Sequence, residues 1–160
     1  MAVNQSRPSL AGPEGRLYLK EEELDRAVDL VFAAARRFWK TAEDVLEAHD
    51  LGSAHYRALA AIRREEGLPV SELQARLGVR KQSLARVLNE LEKAGLIARE
   101  PGRADRRQRL LTLTPTGRDA EREASAALRE RLAHVFRAAG ADAVTGARAV
   151  LMALAQGEER

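Results

Sequence analysis

The longest stripes of apolar residues lie at the two ends of the chain. From Lys20 to His49 they keep helical spacing over about eight turns, which predicts one long helix. Near the other end, Thr114 is suited to cap a helix that Pro115 opens, and Gly140 separates that helix from a last one. A small globule cannot cover helices of this kind alone, so the pattern predicts partner helices. Burial within one subunit is the alternative.

Between these ends, residues 70–117 have the pattern of helix, turn, helix and hairpin. Ser71, with Gln74 three residues later, predicts a capping box at the start of a short helix that Gly78 ends. A second helix is predicted over Lys81–Ala94. Its apolar residues form one stripe: Leu84, Val87, Leu88 and Leu91.

A hairpin is predicted after the second helix. Two short apolar runs, Leu96–Glu100 and Arg109–Leu113, flank a basic stretch rich in turn residues. From Arg99 to Arg109 there are five arginines and two acids, and such a tip is suited to grip phosphate or enter a minor groove. The predicted fold is therefore mainly α with a small β-hairpin, a winged helix-turn-helix domain with further helices at both ends.

One side of the second helix has side chains that can read DNA bases. Opposite the apolar stripe lies a set that we name the recognition face: Gln82, Arg86, Asn89 and Lys93. Arginine is suited to guanine and the amides to adenine, while Ala85 can touch a thymine methyl. Glu90 and Glu92 are expected on the flanks of this face. The face predicts base reading, and the alternative is a winged domain used for non-specific DNA or protein contacts.

Motifs across this region resemble the MarR family of bacterial transcription regulators. The matching motifs are Leu73-x3-Leu77-Gly78-Val79, Ser83-Leu84-x-Arg86, Leu91-Glu92-x2-Gly95-Leu96-Ile97, Asp105-Arg106-Arg107 and Leu113-Thr114-x2-Gly117. The resemblance covers roughly Ala54 to Gly117, and two stretches resemble in particular the proteobacterial PetP-like branch. It implies a homodimer with paired terminal helices. It also implies a pseudo-palindromic operator in double-stranded DNA and small-molecule effectors that release that DNA.

The resemblance also implies roles for particular residues. Lys81, Gln82, Ser83, Ala85 and Arg86 match the family's recognition-helix positions, although a hydroxyl residue is common where Ala85 stands. Asp105 and Arg107 match an ion pair that stabilises the wing. Our own hypothesis is that this pair leaves Arg103 for the minor groove and Arg106 or Arg109 for phosphate. The full predicted DNA-binding set is Arg80, Lys81, Gln82, Ser83, Ala85, Arg86, Asn89, Arg103, Arg106, Arg107 and Arg109.

Five residues near the junction of the first two helices form a candidate effector pocket. They are Phe38, Trp39, His55, Tyr56 and Arg57, of which Arg57 suits an anionic ligand. Core packing explains the same aromatic residues at least as well. The three histidines lack the spacing of metal ligands, and Ser53-x-His55 has no orienting acid nearby, so we expect neither a metal site nor an enzyme.

Composition agrees with these expectations. The 160-residue chain has a net charge of +3, whereas residues 76–109 hold ten basic and four acidic residues, so positive charge is concentrated on the proposed DNA-binding part. No cofactor motif, signal peptide, membrane span or cysteine is present in the sequence, and a cytoplasmic protein without a cofactor is expected. The predicted division is a disordered arm (1–19), a dimerisation helix (20–50), the winged domain (51–117) and C-terminal dimerisation helices (118–160).

Overall fold

The computed structural model describes residues 20–102 and 108–156. Its elements there are α1 (Glu21–Glu47), α2 (Ser53–Arg64), β1 (Leu68–Pro69), α3 (Val70–Leu77), α4 (Lys81–Lys93), β2 (Ile97–Pro101), β3 (Arg109–Leu113), α5 (Pro115–Ala139) and α6 (Ala141–Gln156). The predicted disordered arm, residues 1–19, lies outside the described part of the chain. None of the described helices is long and apolar enough to cross a membrane.

The chain divides into two units at a point within α1, after Ala35. In the first unit, three glutamates occupy the first turn of α1, where they favour the helix by interacting with its dipole. Large apolar side chains of this unit are exposed, among them Val28, Val31 and Phe32, the last at 72%. The long N-terminal helix that the sequence predicts is thus present, and large apolar side chains of its N-terminal part are exposed.

The second unit has one apolar core built around α2. The run Ala58–Ile62 of α2 is buried throughout, so this stretch of the helix is covered on all sides. The helices α3 and α4, the sheet and α5 pack on it, and the end of α1 contributes Ala42 and Leu46 to the same core. Because α4 packs on this buried stretch through the shared core, α2 positions α4.

One predicted helix start is wrong. The helix α3 begins at Val70 with Pro69 as its N-cap, and no side chain of the described residues caps it. Pro69 has extended backbone angles (φ −63°, ψ 142°) and pairs with β3, so the helical conformation begins at the next residue, before Ser71. The capping box of Ser71 and Gln74 therefore does not form. The predicted end of the helix at Gly78 is confirmed.

The predicted hairpin is confirmed, and a third strand joins it. Strands β2 and β3 pair in antiparallel register from Ile97 opposite Leu113 to Pro101 opposite Arg109. The sheet order is β1-β3-β2, with Leu68 of β1 opposite Leu111. The strand β1 has only two residues, too few to show alternation of polar and apolar positions. The sequence pattern therefore did not indicate it.

Gly95 connects α4 to the wing strand β2. Its φ of +69° is left-handed, which costs glycine little. This conformation lets the amide of Leu96 donate to Leu91 O over 2.9 Å, the bond that closes a Schellman motif. The chain therefore leaves the helix and enters β2 at once, and the wing lies directly beside α4.

Thr114 fixes the start of α5, as the sequence predicts. Its Oγ1 accepts a hydrogen bond from the amide of Gly117 (3.0 Å) and donates to Gly95 O (2.7 Å). Pro115 occupies the first turn of α5. The same two segments approach so closely that a Cβ on Gly117 would lie 1.9 Å from Leu96 O. Glycine at this position is required by the close approach of two backbones.

Candidate nucleic-acid interface

The helix α4 buries one side and exposes the side predicted to bind DNA. Leu84, Leu88 and Leu91 are at most 2% exposed. All the predicted DNA-binding residues on or just before α4 are exposed: Arg80, Lys81, Gln82, Ser83, Ala85, Arg86 and Asn89. The buried leucines hold the helix on the core, so the exposed side chains stand on a rigid element.

Arg86 is paired with an acid of its own helix. Its Nε donates to Glu90 Oε1 over 2.9 Å, while 81% of the Arg86 side chain remains exposed. This hydrogen bond raises the pKa of Arg86, which stays charged. The expectation that Glu90 lies on the flank of the recognition face did not include this pairing. At i, i+4 spacing the glutamate reaches the arginine.

Glu90 is held from its other side by His55 of α2. Its Oε2 lies 2.8 Å from His55 Nε2, and the amide of Gly52 donates to His55 Nδ1 over 3.0 Å. Because Nδ1 accepts, the proton of a neutral ring is on Nε2, which therefore donates to Glu90. The hydrogen bond from Arg86, and after it the bond with His55, lowers the pKa of Glu90.

Asn89 is also engaged within the fold. Its Oδ1 accepts a hydrogen bond from Arg99 Nη2 over 2.6 Å, which joins α4 to β2. Arg99 Nε lies 3.2 Å from Glu92 Oε2, but its alignment is too poor for a hydrogen bond. A paired contact of Asn89 with adenine uses both the oxygen and the nitrogen of the amide. The bond from Arg99 therefore occupies one of the two lone pairs of this oxygen, and adenine would have to donate to the other.

Only the base of the wing is described. Arg109 is exposed at the start of β3, and the amide of Gly102 donates to Gln108 O over 2.9 Å. Four predicted wing residues lie outside the described residues: Arg103, Asp105, Arg106 and Arg107. Their contacts with DNA and the ion pair of Asp105 with Arg107 remain predictions.

The structure brings together three of the five residues of the candidate effector pocket. Trp39 makes edge-to-face contacts with Phe38 and Tyr56, each with ring centroids 5.7 Å apart. The other two side chains are engaged elsewhere. His55 binds Gly52 and Glu90, and Arg57 donates to Leu77 O over 3.0 Å.

A chain of hydrogen bonds extends from this aromatic group into α5. Tyr56 OH lies 2.8 Å from Ser125 Oγ, which donates to Glu121 Oε1 over 2.5 Å. Ser125 and Glu121 are both buried. Because α2 carries both Tyr56 and His55, it joins this buried polar group to the contacts around Glu90.

Sequence reasoning missed the partners of the recognition face. The spacing of Arg86 and Glu90 was the available signal for their pairing. Nothing in the sequence indicates that His55, 35 positions before Glu90, would bind it. The bond from Arg99 to Asn89 likewise depends on how the wing folds back beside α4.

An exposed polar helix face beside a β-hairpin wing defines a winged helix-turn-helix protein of the type that binds DNA. Residues 49–108 match the model of the MarR family. The chain is 46% identical over 143 residues to the HTH-type transcriptional regulator PetP of Rhodobacter capsulatus. The aligned region covers 89% of this chain and 86% of that protein. The chain therefore belongs to the MarR family of transcriptional regulators, and the predicted PetP-like branch is confirmed.

Solved structures show the same fold. A crystal structure of a mutant MarR from E. coli complexed with operator DNA has a TM-score of 0.68 at 23% identity, covering 82% of this chain and 94% of that chain. The structure of MarR of Staphylococcus aureus in complex with salicylate and kanamycin has a TM-score of 0.71 at 22% identity. The match covers 82% of this chain and 89% of that chain. At these identities the likeness concerns the fold alone.

Proposed function

We propose that this regulator binds a two-fold symmetric operator as a homodimer, with α4 of each subunit in a major groove. The observation that carries the proposal is the exposed row of Lys81, Gln82 and Arg86 on a helix whose other side is anchored in the core. A helix fits the major groove, where arginine and glutamine distinguish base pairs. Within the described residues, no side chain caps the first turn of α4, so its free amides can bind phosphate.

The Arg86 side chain provides the direct test. We expect Arg86→Ala to weaken binding to the preferred duplex by about 1–3 kcal/mol and to relax the preference at one base pair. The matched control is Arg129→Ala, which removes an exposed arginine from α5. If Arg86→Ala weakened binding to every duplex equally, Arg86 would be a phosphate contact. A wild-type protein without sequence preference would support the alternative function in non-specific contacts.

The homodimer is supported by helix α6. Within the described chain none of its 16 residues is buried, although Val150, Leu151, Met152 and Leu154 are each more than half exposed. An isolated helix of this length is marginally stable in water. An open cleft of about 520 Å³ between α5 and α6 is lined by Arg148 and by apolar residues that include Phe136, Leu151 and Met152. A second copy of the chain would cover these surfaces.

The dimer is tested by a charge placed in the cleft. Leu151→Glu would require a carboxylate to be buried against the partner, so we expect this variant to be monomeric at micromolar concentration by light scattering. The control, Ala149→Glu, places the same charge on the side of α6 that carries Asp142 and Thr145, and it should remain dimeric. A monomeric wild-type protein would refute the proposed assembly.

We also propose that a small-molecule effector binds near Trp39 and thereby modulates DNA binding. The proposal is supported by the aromatic contacts of Trp39 and by the hydrogen bonds that join Tyr56 to α5. Trp39 is the only tryptophan in the sequence, so its fluorescence reports this place alone. Salicylate, present in the Staphylococcus aureus MarR structure, is the probe. Saturable quenching with release of DNA would support the pocket, and unchanged fluorescence would favour core packing.

A further inference from the structure

We propose that Glu90 is a positioning residue for base reading, because its carboxylate, held by His55, fixes the orientation of the Arg86 guanidinium. This inference rests on the proposed function, in which Arg86 contacts a base. It adds residues that lie outside the predicted DNA-binding set. The inference concerns the orientation in which the Arg86 guanidinium meets the DNA base.

A chain of three hydrogen bonds connects rigid backbone to the exposed arginine. The amide of Gly52 donates to His55 Nδ1 (3.0 Å), His55 Nε2 donates to Glu90 Oε2 (2.8 Å), and Arg86 Nε donates to Glu90 Oε1 (2.9 Å). The exposed fraction of the side chain rises along this chain, from 15% for His55 through 41% for Glu90 to 81% for Arg86. The partly buried His55 ring thus holds the Glu90 carboxylate in place, and that carboxylate holds the exposed Arg86 side chain.

The bond to Nε leaves the useful edge of the guanidinium available. Among the described residues, no hydrogen bond engages Nη1 or Nη2 of Arg86. These two nitrogens match O6 and N7 of guanine. A long arginine side chain that is already oriented loses less conformational freedom on binding than a free one. Glu90 therefore favours the paired contact with guanine over the many looser contacts that a mobile arginine makes with phosphate.

Two opposite effects of Glu90 make the proposal testable. A carboxylate beside a DNA-binding arginine repels phosphate, so its removal should tighten binding to every duplex. If Glu90 also positions Arg86, its removal should reduce the preference for the base pair that Arg86 contacts. Electrostatics alone changes affinity without changing that preference, whereas positioning changes the preference itself.

The experiment measures dissociation constants at matched salt for three duplexes: the preferred one, the same duplex with the Arg86-contacted pair exchanged, and a scrambled one. We expect Glu90→Ala to bind the scrambled duplex more tightly while the ratio between the first two falls about five- to tenfold, part of the discrimination of one paired contact. His55→Ala should lower the same ratio although the charge of Glu90 remains. The double variant Arg86→Ala/Glu90→Ala should show the same ratio as Arg86→Ala alone, because the two residues act as one unit.

The control is Glu100→Ala, which removes an exposed carboxylate from β2 and should leave the ratio unchanged. Thermal melting of each variant shows that it is folded. An unchanged ratio in folded Glu90→Ala overturns the proposal, and so does a fall of equal size in Glu100→Ala. If His55→Ala only lowered the melting temperature, His55 would be structural and its part in the proposal would be refuted. A wild-type protein that does not distinguish the three duplexes would refute the proposed function itself.

Discussion

The contact between Gly117 and Leu96 predicts that Gly117→Ala strongly destabilises the winged domain. The added Cβ would lie 1.9 Å from Leu96 O and 2.8 Å from Leu96 C. Both atoms belong to the backbone, so no side-chain rotation relieves the overlap. The same Leu96 O accepts a hydrogen bond of 3.0 Å from the amide of Thr114, and Leu96 is only 2% exposed. A shift of either segment would therefore disturb both a hydrogen bond and the core.

Overpacking of a well-packed region costs about 1–3 kcal/mol, and an overlap with backbone belongs at the upper end of that range. For a chain of this size, about 3 kcal/mol lowers the melting temperature by roughly 6–12 °C. Gly146→Ala is the matched control, because nothing lies within 4 Å of the Cβ position in α6. It should be neutral or slightly stabilising, since alanine favours a helix interior. Calorimetry at one protein concentration compares both variants, and a Gly117→Ala variant as stable as wild type would show that this close approach is not as described.

Two further predictions follow from the same elements. Thr114→Ala removes the cap of α5 and should cost about 1 kcal/mol, whereas Thr114→Ser keeps the hydroxyl; equal stability of the two variants would contradict this role of the cap. The pKa of Glu90 should lie below its ordinary value of 4.5 because Arg86, and after it His55, binds the carboxylate, and Arg86→Ala should raise it in an NMR titration. Because the folded-state pKa is depressed, the stabilisation from this carboxylate is present at neutral pH and is lost as the pH falls through that pKa. A pKa that does not respond to Arg86→Ala would contradict the pairing.

Local sequence signals were sufficient for much of the fold. The apolar stripe of α4 and the turn residues around the hairpin depend on neighbouring positions, so the sequence alone indicated both elements. The cap at Thr114 was predicted for the same reason. The start of α3 was not predicted correctly, because the pairing of Pro69 with β3 determines where this helix begins. That pairing joins positions more than 40 residues apart, as Leu68 opposite Leu111 shows.

The candidate interface shows the same limit. The residue types and spacing on α4 identified which side chains face outward, and all of those on α4 are exposed. Their partners come from other elements: Glu90 binds His55 of α2, and Asn89 binds Arg99 of β2. Such contacts depend on how elements pack against each other. A helical pattern cannot show that an outward-facing side chain is already engaged by a neighbouring element.

Selection of bound sequences from a pool of random duplexes tests the central claim most directly. If two subunits place α4 in successive major grooves, the selected sequences should share a two-fold symmetric motif with half-sites centred about 10 base pairs apart. Selection with Arg86→Ala should relax one position in each half-site and leave the others unchanged. Absence of a shared motif in the wild-type selection, or a single half-site without symmetry, would contradict a homodimer that reads DNA through α4.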